Sequence, residues 1–342
     1  MRRTTTALVF AATLLAACSS SGDTAIAPAT SAPTTTTTPS CAVTSQPKLN
    51  RINLRIDGRD RYALVHVPTK WDGETPIPVV LSFHGLGSSA TQQRSNDGFV
   101  ARSDTDNFIV VYPQAESSNG SFGAAWDLRG DSDLRFVKQV LDTVEEHECV
   151  DTRRVYATGL SYGGAMTDLL ACELSDRIAA AAPVSAYLPQ RDCTPTRPVP
   201  ILSFHGVEDE LLPYDGAERS GQRDFEAWGA DWAKRDGCAS EPTTTQFKSS
   251  VEELAYASCK EPVVLYRVHH NGHTWPGHPL GLDRGALIDY FSGKTTGKPY
   301  PLMVALGLTP TQFADTISLA NTDINASSMI LAFFEQHTLD TP

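Results

Sequence analysis

The stretch that most constrains this chain is Gly159-Leu160-Ser161-Tyr162-Gly163-Gly164, set between the run Val155-Tyr156-Ala157-Thr158 and an apolar segment with helical spacing that reaches Cys172. A strand that turns straight into a helix through G-x-S-x-G holds its serine on a sharp, strained corner. Small neighbours relieve the crowding there, and the hydroxyl stands out at the edge of a sheet. Such a corner requires a buried strand with helices laid on its sheet. The bland alternative is a glycine-rich turn that only joins a strand to a helix. The rest of the chain alternates in the same way: strand-like runs at 78–83, 108–112, 154–158, 179–184, 199–204 and 263–268, with helical patterns at 134–146, 162–172, 224–235 and 327–336. An opening hairpin fits 52–56 and 62–67, turning at Asp57-Gly58. This is a mostly parallel α/β pattern flanked by helices.

A serine hydroxyl is a weak nucleophile at neutral pH and needs a base within hydrogen-bond reach, itself oriented by a carboxylate. Two loops downstream carry those residue types. The first, Phe204-His205-Gly206-Val207-Glu208-Asp209-Glu210, follows the strand at 199–204 and crowds three acids together. Spacing alone does not separate them, and a charged surface turn would look the same. The second runs from His269-His270-Asn271-Gly272-His273 to Thr274-Trp275-Pro276-Gly277-His278, after the strand at 263–268. Four histidines there could suggest a metal, but their spacing fits no helix-borne ligand pair, so no metal is expected. His273 is the expected base, since Gly272 frees the backbone before it and Pro276 stiffens the loop behind it. Upstream, Phe83-His84-Gly85-Leu86-Gly87-Ser88 follows an early strand, and the backbone N–H groups of Leu86 and Tyr162 are the candidate oxyanion donors. His84 itself reads as a residue that shapes that loop.

The first residues, Met1-Arg2-Arg3 followed by an apolar stretch and then Leu15-Ala16-Ala17-Cys18, read as a signal peptide over 1–17. Small residues directly before a cysteine resemble the lipobox of bacterial lipoproteins, which implies lipidation of Cys18 and a membrane anchor. Residues 18–40, rich in Ser, Thr, Ala and Pro, cannot pack and are expected to form a tether. The catalytic domain is expected over 41–342. Six further cysteines in an exported chain argue for disulfides. The first expected pair is Cys238 with Cys259, closing a polar loop of about twenty residues and stabilising by about 3 kcal/mol. Cys172 with Cys193 is next, leaving Cys41 with Cys149. A formal net charge of −12 without basic runs offers no face for phosphate backbones, so nucleic acid is not expected as a partner.

With these pieces in place the chain resembles the α/β-hydrolase esterases grouped with polyhydroxybutyrate depolymerases and feruloyl esterases. The resemblance rests on Phe83-His84-Gly85, the elbow Gly159 to Gly164, His205-Gly206 with Asp209 and Pro213-Tyr214, and Gly272-His273-Thr274-Trp275-Pro276-Gly277. It implies a Ser161–Asp209–His273 triad, with Asp209 preferred over Glu208 and Glu210, and no cofactor. The segment from Trp232 through Gly237-Cys238 to Cys259 resembles one that often holds a disulfide in that family. Trp126 and Trp275 fall where substrate would be met, although core packing is the competing role for Trp126. Two features depart from the pattern: Tyr162 is bulky for the position after the nucleophile, and residues 279–325 form an extra segment, either a cap over the pocket or a surface excursion. The resemblance implies an exported or lipid-anchored serine esterase acting on small or polymeric esters with short acyl, feruloyl or hydroxyalkanoate groups. A peptidase on the same fold and a non-catalytic surface lipoprotein are the alternatives.

Overall fold

The structure, a computed structural model, describes residues 48–117, 123–186, 193–216, 224–279 and 283–340. The expected signal segment and tether, with Cys18 and Cys41, lie outside the described residues. Along the chain, β1 (Arg51–Ile56) and β2 (Arg59–His66) form the opening hairpin, and β3 (Ile77–Phe83) leads through α1 (Ala90–Asn96) and α2 (Phe99–Asp106) to β4 (Ile109–Pro113). A two-residue ribbon, β5 (Glu116–Ser117) with β6 (Ala124–Ala125), precedes α3 (Ser132–His147) and β7 (Val150–Leu160). The elbow turns β7 into α4 (Tyr162–Glu173), followed by β8 (Ala180–Val184), β9 (Ile201–Gly206) and α5 (Phe225–Arg235). A hairpin, β10 (Pro242–Lys248) with β11 (Val251–Tyr256), then leads to β12 (Val263–Val268). Helices α6 (Arg284–Phe291), α7 (Pro301–Leu306), α8 (Pro310–Ser318) and α9 (Ala326–Phe334) complete the described chain.

Ten strands make one sheet in the order β1-β2-β4-β3-β7-β8-β9-β12-β11-β10. Its centre, from β4 to β12, is parallel, and an antiparallel hairpin closes each edge. The period of two along each strand explains why helices cover both faces. Val79, Leu81, Ile109, Val111, Ala181 and Ile201 point into a core shared with α3, α4 and α5. Their neighbours Val80, Val110, Tyr112, Ala180, Ala182 and Leu202 join α1, α2 and α9 on the opposite face. This is the α/β-hydrolase arrangement of a mostly parallel sheet between helices.

Chain order reverses around β3: the chain passes outward to β4 and then returns to β7 on the other side. Open parallel sheets bind ligands at the carboxyl ends of the strands beside such a switch point, because the connections leave on opposite faces and open a crevice. The loop after β3 and the elbow after β7 flank that crevice.

One expectation about the second half needs correction. The stretch between Cys238 and Cys259 is not a loop but the β10–β11 hairpin. Nearly all of β10 is exposed, so Thr243-Thr244-Thr245-Gln246-Phe247-Lys248 has no buried face to impose an apolar alternation. The disulfides Cys238–Cys259 and Cys172–Cys193 both form, with Cα separations of 3.9 and 5.6 Å. Cys149 is disulfide-bonded, and the expected pairing with Cys41 lies outside the described residues. The extra segment at 279–325 folds into α6, α7 and α8 around Phe291, Met303, Phe313 and Ala314, and that small cluster takes in Leu211 from the loop after β9.

Candidate functional site

Ser161 sits at the corner between β7 and α4 with φ 58° and ψ −123°, a conformation that costs a residue with a side chain about 1–3 kcal/mol. The surrounding contacts over-determine it: Ser161 N–H donates to the Val184 carbonyl at 2.9 Å, and its own carbonyl accepts from Ala165 N–H at 2.9 Å. A Cβ on Gly163 would lie 2.1 Å from the Phe83 carbonyl oxygen, so only glycine lets α4 start this close to β3. The serine hydroxyl makes no capping bond to the helix it begins, which leaves it available at the sheet edge.

Gly85 lies directly against this serine: a Cβ built there would be 3.4 Å from Ser161 Cβ and 3.8 Å from Oγ. The loop that carries Gly85 is held from behind. His84, wholly buried, accepts the Ala115 N–H at Nε2 (3.1 Å), so its Nδ1 carries the proton and donates to the Gly85 carbonyl at 2.8 Å. Burial pushes this imidazole below its usual pKa, partly opposed by the Gly85 carbonyl, and keeps it neutral. The Trp126 indole N–H donates to the His84 carbonyl at 2.8 Å and its ring meets Phe83 edge-on. The neighbouring Asp127 N–H is taken by Asp133, whose carboxylate also forms a buried ion pair with Arg61 at 2.5 Å. Tyr162 opens α4, so its N–H has no intrahelical acceptor, and no backbone acceptor among the described residues takes the Leu86 N–H.

On the other side of the sheet centre, the loops after β9 and β12 meet. Asp209 Oδ2 accepts from His273 Nδ1 at 2.7 Å, with the side chains 0% and 7% exposed. Its Oδ1 accepts the N–H groups of Leu211 (3.0 Å) and Leu212 (2.9 Å), which fixes the carboxylate in the plane it needs. Glu208 and Glu210 are exposed, so of the three acids only Asp209 meets the imidazole. Beneath the pair, the buried His205 donates through Nε2 to the Leu212 carbonyl at 2.7 Å and comes within 3.5 Å of Asp209 Oδ2. Burial lowers the pKa of His205 against the pull of Asp209, so a neutral ring backs the carboxylate.

The other loop histidines face different neighbours: His269 lies by Glu252, His270 is exposed near Glu208, and His278 lies by Asn325 and Ser327. The expectation that Trp126 and Trp275 line the substrate cleft also needs correction. Each is 2% exposed, and the Trp275 indole donates to Ser327 while its ring packs edge-on against Phe99. Both aromatic faces are used up in packing, Trp126 behind the Gly85 loop and Trp275 behind the histidine loop. Sequence reasoning missed Thr316, Leu319 and Asn321, all within the extra segment. Leu319 accepts the Gly272 N–H at 2.8 Å, and Asn321 N–H donates to Asn271 Oδ1 at 2.9 Å. Nothing in the local pattern around 316–321 announces this, because the contacts span some fifty residues of chain.

The sheet, the strained serine corner and the acid–imidazole pair at its carboxyl edge define an α/β-hydrolase. A sequence model of the family described as acetyl xylan esterase (AXE1) matches residues 135–194, from α3 through the elbow to just beyond β8. Feruloyl esterase B of Piromyces equi is 30% identical over 241 residues, 65% of this chain and 44% of that protein. Poly(3-hydroxyalkanoate) depolymerase C of Paucimonas lemoignei is 35% identical over 126 residues, 35% of this chain and 30% of its own. The chain therefore spans less than half the length of either relative. Among solved structures, an acetyl xylan esterase from Aspergillus awamori superposes with a TM-score of 0.52 at 17% identity, over 66% of this chain and 94% of that one, a likeness of fold. Within the α/β-hydrolases the chain is similar to esterases of the feruloyl esterase and polyhydroxyalkanoate depolymerase type.

Proposed function

We propose that this protein is a carboxylic ester hydrolase that works through an acyl-enzyme on Ser161. The observation that carries the reading is the buried 2.7 Å bond between Asp209 and His273 Nδ1, on the same sheet edge as the strained Ser161. With Nδ1 occupied by Asp209, Nε2 is the ring atom left to take a proton. In this mechanism Ser161 Oγ attacks the ester carbonyl carbon while His273 Nε2 accepts the hydroxyl proton. The N–H groups of Leu86 and Tyr162 hold the oxyanion, His273 returns the proton to the departing alkoxide, and the alcohol leaves. Water then attacks the acyl-enzyme with His273 again as base, releasing the carboxylic acid and restoring Ser161.

The relatives' names support ester substrates with feruloyl, acetyl or hydroxyalkanoate acyl groups, small or polymeric. Two disulfides support an oxidising, extracytoplasmic location, and Cys18 after Leu15-Ala16-Ala17 supports a lipid anchor on the outer membrane face. Hydrolysis of nitrophenyl acetate, nitrophenyl butyrate and methyl ferulate by the purified protein tests the reading, with fluorophosphonate labelling that disappears in Ser161→Ala. A folded protein that is silent on every ester and unlabelled would overturn it, and turnover of peptide amides alone would replace it with a peptidase.

A further inference from the structure

The acid and histidine loops leave different strands and meet through the Glu208 N–H on the Asn271 carbonyl at 3.2 Å, and a residue from neither loop ties them as well. Thr316, near the end of α8 and 2% exposed, reaches both. Its Oγ1 accepts the Glu210 N–H at 3.0 Å and the His273 N–H at 3.3 Å, and donates to the Glu208 carbonyl at 3.4 Å. One hydroxyl thus uses its donor and both acceptor sites on the residues either side of Asp209 and on His273 itself. The Thr316 carbonyl also accepts the His273 N–H at 2.5 Å. A Cβ on Gly272 would lie 2.1 Å from that carbonyl oxygen, so the glycine before the histidine serves this contact.

We propose that Thr316 is a positioning residue for the Asp209–His273 pair: its hydroxyl ties the two loops at the separation that makes their hydrogen bond. The proposal rests on the esterase reading for its kinetic consequence but not for its geometry. The extra segment is on this account part of the catalytic frame, since its return stretch is the wall on which the histidine is mounted. Apolar substitution removes the acceptor of the Glu210 N–H, and the acid loop relaxes away from the imidazole.

The test compares Thr316→Val, which keeps the shape and removes the hydroxyl, with Thr316→Ser, which keeps the hydroxyl. In the valine variant kcat per fluorophosphonate-titrated site on nitrophenyl butyrate falls about 10- to 100-fold with KM unchanged, the penalty of a small misplacement. The serine variant stays near wild type. In the resting protein the low-field proton resonance of the His273–Asp209 bond shifts or broadens in the valine variant and is retained in the serine variant. Full kcat per site in Thr316→Val, an unaltered resonance there, or a serine variant as impaired as the valine one each overturn the proposal. If Thr316→Val does not fold, Thr316→Ala is judged by the same two readouts. A wild type without esterase activity sinks the esterase reading alone, because the resonance test needs no substrate.

Discussion

The two halves of the site are built in different ways. The serine half, the proposed nucleophile's, is local: Ser161 and the Gly85 loop sit at the ends of the hydrogen-bonded neighbours β7 and β3, and the elbow's glycines let those strands and α4 approach. Its braces, His84 and Trp126, come from the loop after β3 and the stretch just after β6, both before Ser161 in the chain. The acid–histidine half joins the loops of β9 and β12, which also pair, but both loops end in contacts to Thr316, Leu319 and Asn321 from the segment after them. A strained corner can be written in six consecutive residues, whereas a carboxylate–imidazole distance across two loops needs a third element to hold it. The nucleophile half should therefore respond to changes within its motif, and the acid–histidine half to changes far away in sequence.

The largest effect separating the halves is expected at the serine. Ser161→Ala should lower kcat by about a million-fold with little change in melting temperature, checked by single-turnover assay and thermal scan. A fall of less than about a thousandfold would break the assignment of the nucleophile half. Asp209→Asn should lower kcat by about ten-thousandfold, because the amide favours the wrong imidazole tautomer. Near-wild-type activity would show that the 2.7 Å bond does not serve the chemistry.

Trp126→Phe keeps the ring against Phe83 and removes the donor to the His84 carbonyl. It should cost about tenfold in kcat, below the hundredfold or more of a lost oxyanion donor, since the donor is only loosened. An unaltered kcat in Thr316→Val would erase the contrast between the halves.

The smallest effect lies at the far end of β9. Burial raises the Asp236 pKa from 3.8 to about 7, and its carboxylate accepts the Val199 N–H at 3.2 Å. Because the folded-state pKa is the higher one, stability is full below the unfolded value and is lost as pH rises from about 4 to about 7. Asp236→Asn should match wild type near pH 4 and melt a few degrees higher above pH 7, with kcat unchanged. Equal melting curves at pH 8 would refute the raised pKa, and altered kcat would show that strain at the foot of β9 reaches Asp209.

Legibility in the sequence followed the same division. The strands of the parallel core and the large helices α3, α4 and α5 could be seen because apolar residues recur with the period of each element. The elbow, the histidine loop and both described disulfide pairings could also be seen. The β10–β11 hairpin could not, since an exposed Thr-rich edge strand buries nothing on either face. Helices α6 to α8 escaped because they pack mainly on one another and on Leu211, leaving Tyr290, Val304 and Leu306 in solvent and blurring any amphipathic stripe. Trp126 and Trp275 misled for a related reason: sequence gives an aromatic's position in the chain but not whether its face is already occupied.

By itself the chain determined its sheet, its serine corner and the residue types of its acid and base, because these depend on periodicity and on which backbones glycine permits. Which of three neighbouring acids meets His273 was decided only in three dimensions, as was the tying of that pair by a threonine more than forty residues downstream. Hydrogen bonds between distant loops leave no period in the sequence, and their partners become neighbours only after the sheet has brought them together.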